Sequence, residues 1–364
     1  MRRCSVLRPR TISAKAAPQG SIRKVVGGAV ALVSGLFLLL ARPAAADPPR
    51  VEMPIRSVVL SDGTYRYSIL IQLGRSQVTV GLDSGSTGLR VLPRGLAEQD
   101  ILSAGAGETY QFDSGARFEG EQVRARLSLG GLEGVTTLQR IQTTGCTRNL
   151  PRCPVSRLPP AEYAIQGNGL PNEGFPGLFG VNMGASRVPN PLTALGVRRW
   201  IIDLPRPGET QNGRLILNPT AEEIQEYQRF DLIFGPNGSG ELHDAIPGCV
   251  SRDGDSAEAC GAVVLDTGAP GLRLVNGGLG PRPWADGATG QLIFTDLAGK
   301  PKAGLRFVVG SRQQAAHLRF DFTGSSQPIL YAGVTPYFAF SVLYDADAGQ
   351  IGLKSRPPPQ TPSS

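Results

Sequence analysis

The 364-residue sequence predicts an all-β protein built as two related lobes. Three observations carry this prediction. Glycine (47 residues) and proline (30) are far above average usage, which favours many short strands joined by turns over a helical bundle. Short apolar and β-branched runs recur along the chain, bounded by turn residues. One pattern also occurs twice, as D-S-G-S-T-G-L-R-V at 83–91 and D-T-G-A-P-G-L-R-L at 266–274. With 40% hydrophobic and 18% charged residues, the chain is too apolar for disorder and long enough for a large core.

The first element in chain order is a leader, residues 1–46. Residues 25–41 (VVGGAVALVSGLFLLLA) form an apolar run of 17, preceded by basic residues and followed by Ala44-Ala45-Ala46. That order suits a secretory signal cleaved after Ala46, with the mature protein periplasmic or secreted. The alternative is an uncleaved membrane tether through 25–41, since 17 residues lie at the short limit for a bilayer span. Arg2-Arg3 adds a twin-arginine hint. The formal charge of +7 is located here too. Eight of the 37 basic residues and no acidic ones fall in 1–46, leaving 29 basic against 30 acidic residues beyond Ala46. Nucleic acid is therefore excluded as a partner.

Past residue 50 the pattern is β. Residues 65–72 (YRYSILIQ) and 77–83 (QVTVGLD) flank L-G-R-S and predict a hairpin. Similar runs predict strands at 122–129, 198–204, 213–217, 262–266, 304–309, 328–331 and 338–344. One helix is predicted at 220–228, opened by Thr220 with Glu223 three residues on, a capping-box pattern. The lobes are expected at 47–235 and 236–356. The Pro/Ser-rich tail, 357–364, is expected to be unstructured.

Cys4 lies in the leader, which leaves Cys146, Cys153, Cys249 and Cys260. An even number in an exported chain reads as disulfides. Three pairings are possible, and spacing favours Cys146–Cys153 and Cys249–Cys260. Without C-x-x-C spacing or nearby histidines a metal site has little to build on. His243 and His317 are the only histidines, so a three-histidine zinc site is excluded. No metal or cofactor is expected.

The repeat carries the chemistry. Asp83 and Asp266 each follow an apolar run, and they stand 183 residues apart. A turn after a strand explains either copy alone, but not both with shared flanks. Two lobes that each supply one carboxylate suit general acid–base catalysis by an aspartate pair. Such close carboxyls share one proton, so the ionised one can activate a water while the other donates to a substrate carbonyl. Gly85 and Gly268 would let the backbone approach the carboxyls, while Ser84, Ser86 and Thr267 would brace them.

On these residues the sequence resembles the pepsin-like aspartic proteases over about 50–355. V-G-L-D-S-G-S-T-G-L-R-V and A-V-V-L-D-T-G-A are similar to the family's two Asp-Thr-Gly motifs. G-F-P-G-L-F-G (174–180) is similar to the segment that crosses behind the first aspartate, with Gly177 as its glycine. Y-A-G-V-T-P-Y-F-A-F-S-V-L-Y-D-A-D-A-G-Q-I-G-L-K (331–354) resembles the C-terminal block, with Gly333 as the equivalent glycine. The loop between Cys249 and Cys260 resembles the family's disulfide loop before the second aspartate. The resemblance implies a two-lobed fold with pseudo-twofold symmetry and a cleft between the lobes.

The sequence departs from the family in four places. In the flap segment Y-Q-F-D-S-G-A-R-F-E-G (110–120), Phe112 takes the register of the family's tyrosine and Tyr110 lies two residues earlier on the same strand face. Arg90 replaces the tyrosine's tryptophan partner; its repeat mate Arg273 suggests a solvated strand-end role, with a cleft contact as the equal alternative. Ala269 replaces a hydroxyl residue, and the second lobe spans 67 residues from Asp266 to Gly333 against 94 from Asp83 to Gly177. The resemblance implies an exported, monomeric endopeptidase acting on peptide or protein substrates. The alternative is a non-catalytic member that binds peptide or glycan in the cleft; a third class is an exported structural or adhesive β-protein. Only 36 residues separate Ala46 from Asp83, too few for an inhibitory propeptide before the lobe's opening strands.

Overall fold

Strand formation follows side-chain alternation. Between 123 and 129 every second residue (Val123, Ala125, Leu127, Leu129) is buried while Arg124 and Arg126 face solvent, which is the period of a strand with one face on a core. The computed structural model describes residues 48–233, 244–275, 284–321 and 328–357. The expected leader, the tail beyond 357 and His243 lie outside them. Among the described residues, β1 (Val51–Val59), β2 (Tyr65–Leu73), β3 (Ser76–Asp83), β4 (Thr87–Val91), β5 (Ile101–Gln111), β6 (Ala116–Leu129), β7 (Leu132–Cys146), β8 (Gly177–Val181), β9 (Arg199–Asp203) and β10 (Gly213–Leu217) precede α1 (Ala221–Gln225). They are followed by β11 (Gln228–Asp231), β12 (Ala245–Arg252), β13 (Glu258–Leu265), β14 (Leu272–Val275), β15 (Thr289–Thr295), β16 (Pro301–Val308), β17 (Leu318–Asp321), β18 (Ile329–Gly333), α2 (Thr335–Ala339), β19 (Phe340–Asp345) and β20 (Gln350–Ser355). The protein is all-β.

Each predicted strand falls on an observed one, and β2 and β3 form the predicted hairpin, with Leu73 opposite Ser76. The Thr220 hydroxyl accepts from the Glu223 N–H and the Glu223 carboxylate accepts from the Thr220 N–H, so the capping box is complete. The helix stops at Gln225, short of the predicted 228, because Gln228 opens β11 and pairs with Leu353 of β20. The predicted strand at 338–344 begins at Phe340, since α2 takes the residues before it.

Two sheets result. The larger has 13 strands in the order β11-β20-β19-β9-β10-β1-β2-β3-β8-β4-β7-β6-β5, and the smaller has seven in the order β16-β15-β12-β13-β18-β14-β17. The first half of β1 pairs with β10 and its second half with β2, which joins a six-strand platform to the rest of the large sheet. β19 and β20 enter that platform beside β9, with Val342 opposite Ile202. Chain from both sides of residue 235 therefore shares one sheet. Trp200 stacks on Tyr344 at 5.5 Å within it. Phe294 of the smaller sheet meets Phe230 at 6.1 Å and Phe340 at 5.9 Å, and one continuous cluster of buried side chains runs through both sheets.

The sequence repeat is also a repeat of topology. β8 lies between β3 and β4, parallel to the first and antiparallel to the second, and β4 pairs in parallel with β7. β18 lies between β13 and β14 in the same senses, and β14 pairs in parallel with β17. Both aspartates stand where the first strand of such a unit turns into the second.

The disulfides are Cys146–Cys153 and Cys249–Cys260. The second joins directly opposed residues of β12 and β13. Loops this short contribute about 2–3 kcal/mol each, and such bonds belong to an oxidising compartment. Among the described residues no helix is long and apolar enough to cross a membrane; residues 25–41 lie outside them.

Candidate active site

The two Asp-containing turns are bonded to each other. The Ser84 hydroxyl accepts from the Thr267 N–H at 2.9 Å and donates to the Leu265 carbonyl at 2.9 Å. Reciprocally, the Thr267 hydroxyl accepts from the Ser84 N–H at 3.0 Å and donates to the Leu82 carbonyl at 2.9 Å. All of these groups are buried, so each bond would leave costly unpaired atoms if broken. Ser84 Oγ also bonds the Tyr337 hydroxyl at 2.8 Å, which in turn bonds that of Tyr344 at 2.5 Å. This anchors the junction in the platform.

The glycines explain why no side chain fits behind the pair. A Cβ on Gly85 would lie 2.3 Å from Asp266 Cγ, and a Cβ on Gly268 would lie 2.6 Å from Asp83 Oδ1. Each turn's glycine thus backs the other turn's carboxyl. Asp83 Oδ1 accepts from the Gly85 N–H at 2.9 Å, and Asp266 Oδ1 accepts from the Gly268 N–H at 2.7 Å. The symmetry breaks at the next contact. Asp83 Oδ2 accepts from the Ser86 hydroxyl at 2.5 Å, whereas Ala269 occupies the matching position after Asp266. Burial, then repulsion from Asp83, then a hydrogen bond with the Asp83 carboxyl hold Asp266 well above the usual carboxylate range. Asp266 has no counterpart to the Ser86 hydroxyl that donates to Asp83.

The glycine behind the first aspartate is Gly180, which lies opposite Asp83, and this corrects the expectation of Gly177. Gly177 starts β8 three residues earlier, opposite Val91 and packed on Val80. G-F-P-G-L-F-G holds three glycines in seven residues, and only the strand register distinguishes them. Gly333 stands opposite Leu265, and its carbonyl accepts the Asp266 N–H at 3.3 Å.

The β5–β6 hairpin turns at Phe112–Gly115. Phe112 is half-buried against its own half of the molecule, 5.1 Å from the Phe118 ring and beside a small cluster that includes Leu92, Tyr163 and Leu178. Tyr110 lies face-on to the Arg90 guanidinium at 3.4 Å. Arg90 is fully buried, which overturns its expected solvated role. Every residue of β4 is buried between β8 and β7, so position along the strand offers no route to water. Arg90 Nη1 donates to the Thr87 and Gly88 carbonyls, while its Nε and Nη2 have no hydrogen-bond partner among the described residues. Arg273 differs. It is half-buried, ion-paired to Asp321 and, at 2.7 Å, to Asp113 at the hairpin tip.

Sequence reasoning missed Arg66 and the tyrosines 337 and 344. Arg66 Nη1 donates to the Gly268 carbonyl at 2.7 Å, which places a cation beside the pair. The available signal was a lone charge inside the apolar run Y-R-Y-S-I-L-I-Q. No protein-family model matches the chain, and no curated protein matches it.

Proposed function

We propose that the protein is an exported endopeptidase of the pepsin-like fold, cleaving peptide bonds with a water activated by Asp83 and Asp266. The observation that carries this reading is the reciprocal bonding of the two Asp-Ser/Thr-Gly turns, which brings two carboxyls together and leaves them in unequal surroundings. Asp83 takes a proton as the water oxygen attacks the scissile carbonyl carbon. Asp266 gives its proton to the carbonyl oxygen, and a tetrahedral diol forms. Its collapse breaks the C–N bond as a proton passes to the leaving amine, and a carboxyl and an amine result. The reaction forms no covalent link to the chain. Tyr110, on the hairpin beside Arg90, closes over the peptide and limits water access.

Assaying the exported protein on an unfolded polypeptide across acid to neutral pH, with and without a peptide-mimic aspartic protease inhibitor, tests this reading. Inhibitor-sensitive hydrolysis supports it. Tight peptide binding without cleavage would instead assign the cleft a binding role.

A further inference from the structure

We propose that Arg66 is a positioning residue that sets the pH at which the aspartate pair works, by holding a fixed cation beside both carboxyls. The inference rests on the reading of Asp83 and Asp266 as a working pair. Arg66 lies on β2 between Tyr65 and Tyr67, and two hydrogen bonds fix its guanidinium. Nη1 donates to the Gly268 carbonyl at 2.7 Å and Nε to the Gln166 carbonyl at 2.8 Å. Gly268 is also the residue whose N–H binds Asp266, so the cation is tied to the turn that carries the second carboxyl. A guanidinium does not lose its proton in a protein, and this charge is permanent.

A half-buried cation bonded only to carbonyls is costly unless negative charge lies near it. The carboxylates that act on Arg66 are Asp266 first, then Asp62 and Asp83. The effect is mutual: Arg66 opposes the burial and repulsion that raise Asp266. The other groups facing the pair are Arg90 on β4, whose charge acts on Asp83, and the phenols of Tyr331, Tyr337 and Tyr344, each kept neutral by burial. The Tyr163 phenol faces Arg66 itself. The pair works only with one proton between its two carboxyls. A nearby cation lowers both proton affinities and so moves that window to more acidic pH.

The experiment compares wild type with Arg66→Gln, Arg66→Met and Arg66→Lys in the exported protein. The Asp83 and Asp266 carboxyl carbons are titrated by NMR, with Asp83→Asn and Asp266→Asn assigning the signals. The pH profile of peptide hydrolysis is recorded alongside. Removing the charge should raise both titration midpoints, and both limbs of the profile, by about one pH unit or more. Arg66→Lys should stay near wild type. Midpoints unchanged in the neutral variants would overturn the proposal, as would a Lys variant shifted as far as Gln. Should Gln not fold, Met retains the packing of the stem and gives the same comparison; unfolding of both would make Arg66 structural and also overturn it. A wild type that cleaves nothing would remove the proteolytic reading, while the titration would still decide the role of Arg66.

Discussion

One hydroxyl separates the two carboxyls. Ser86 bonds Asp83, and Ala269 leaves Asp266 without that donor, while burial and repulsion from Asp83 hold Asp266 above the usual carboxylate range. Asp83→Asn and Asp266→Asn should each reduce peptide hydrolysis at least about a thousandfold, since either removes one member of the acid–base pair; residual cleavage within tenfold of wild type would contradict the proposed roles. The effect of Asp266→Asn on stability follows from the direction of its shift. With its native proton affinity raised, stability falls as pH rises from the ordinary carboxylate range through the raised value, because the unfolded chain releases a proton that the native state keeps. Asn removes that loss, so thermal melts at neutral pH should be unchanged or higher. Asp244 behaves alike. It is fully buried, one oxygen accepts the Met183 N–H at 2.7 Å, the other has no hydrogen-bond partner among the described residues, and burial pushes it up to about 8. Asp244→Asn should raise the melting temperature at neutral pH by a few degrees and flatten its decline between the ordinary carboxylate range and about pH 8. A mutant melting below wild type throughout that range would mean the carboxylate has a partner that stabilises it.

The β5–β6 hairpin divides its work between two rings. Phe112 packs on Phe118 and its cluster, whereas Tyr110 faces the buried Arg90. Phe112→Ala should therefore cost roughly 2 kcal/mol of stability, about half the usual loss for a fully buried phenylalanine, with a minor change in turnover. Tyr110→Ala should lower kcat/KM on the order of tenfold with a smaller stability loss, because the proposed function assigns it to closure over the peptide. Denaturant melts and steady-state kinetics on both variants separate these roles, and reversed effects would reassign the rings. Phe112 was the sequence's choice for the flap tyrosine because it keeps the spacing to the turn. That spacing does not reveal which of two rings on one strand face meets the core.

Across the whole molecule, the platform makes the halves interdependent. β19 and β20 pair with β9 and β11, although more than 100 residues lie between β11 and β19. A fragment of 47–235 would leave β9 as an unpaired apolar edge carrying Trp200, Ile201 and Ile202. Such a fragment should aggregate or show no cooperative melt by circular dichroism; a soluble, cooperatively folded fragment would show that the first half is self-sufficient. The sequence alone determined what depends on neighbours along the chain: the all-β class, the capped turn of helix at Thr220, the two local disulfides, and the repeated Asp turns, whose glycines and hydroxyls are set by the few atoms around each carboxyl. Tertiary structure alone decided what depends on partners far apart in the chain. It chose Gly180 over Gly177 through the β3–β8 register, buried Arg90 between β8 and β7, brought Arg66 to Gly268 across 202 residues, and raised the proton affinity of Asp266 by burial beside Asp83. Burial and strand register arise from which segments meet in space, and a periodic pattern along one segment carries no information about its neighbour.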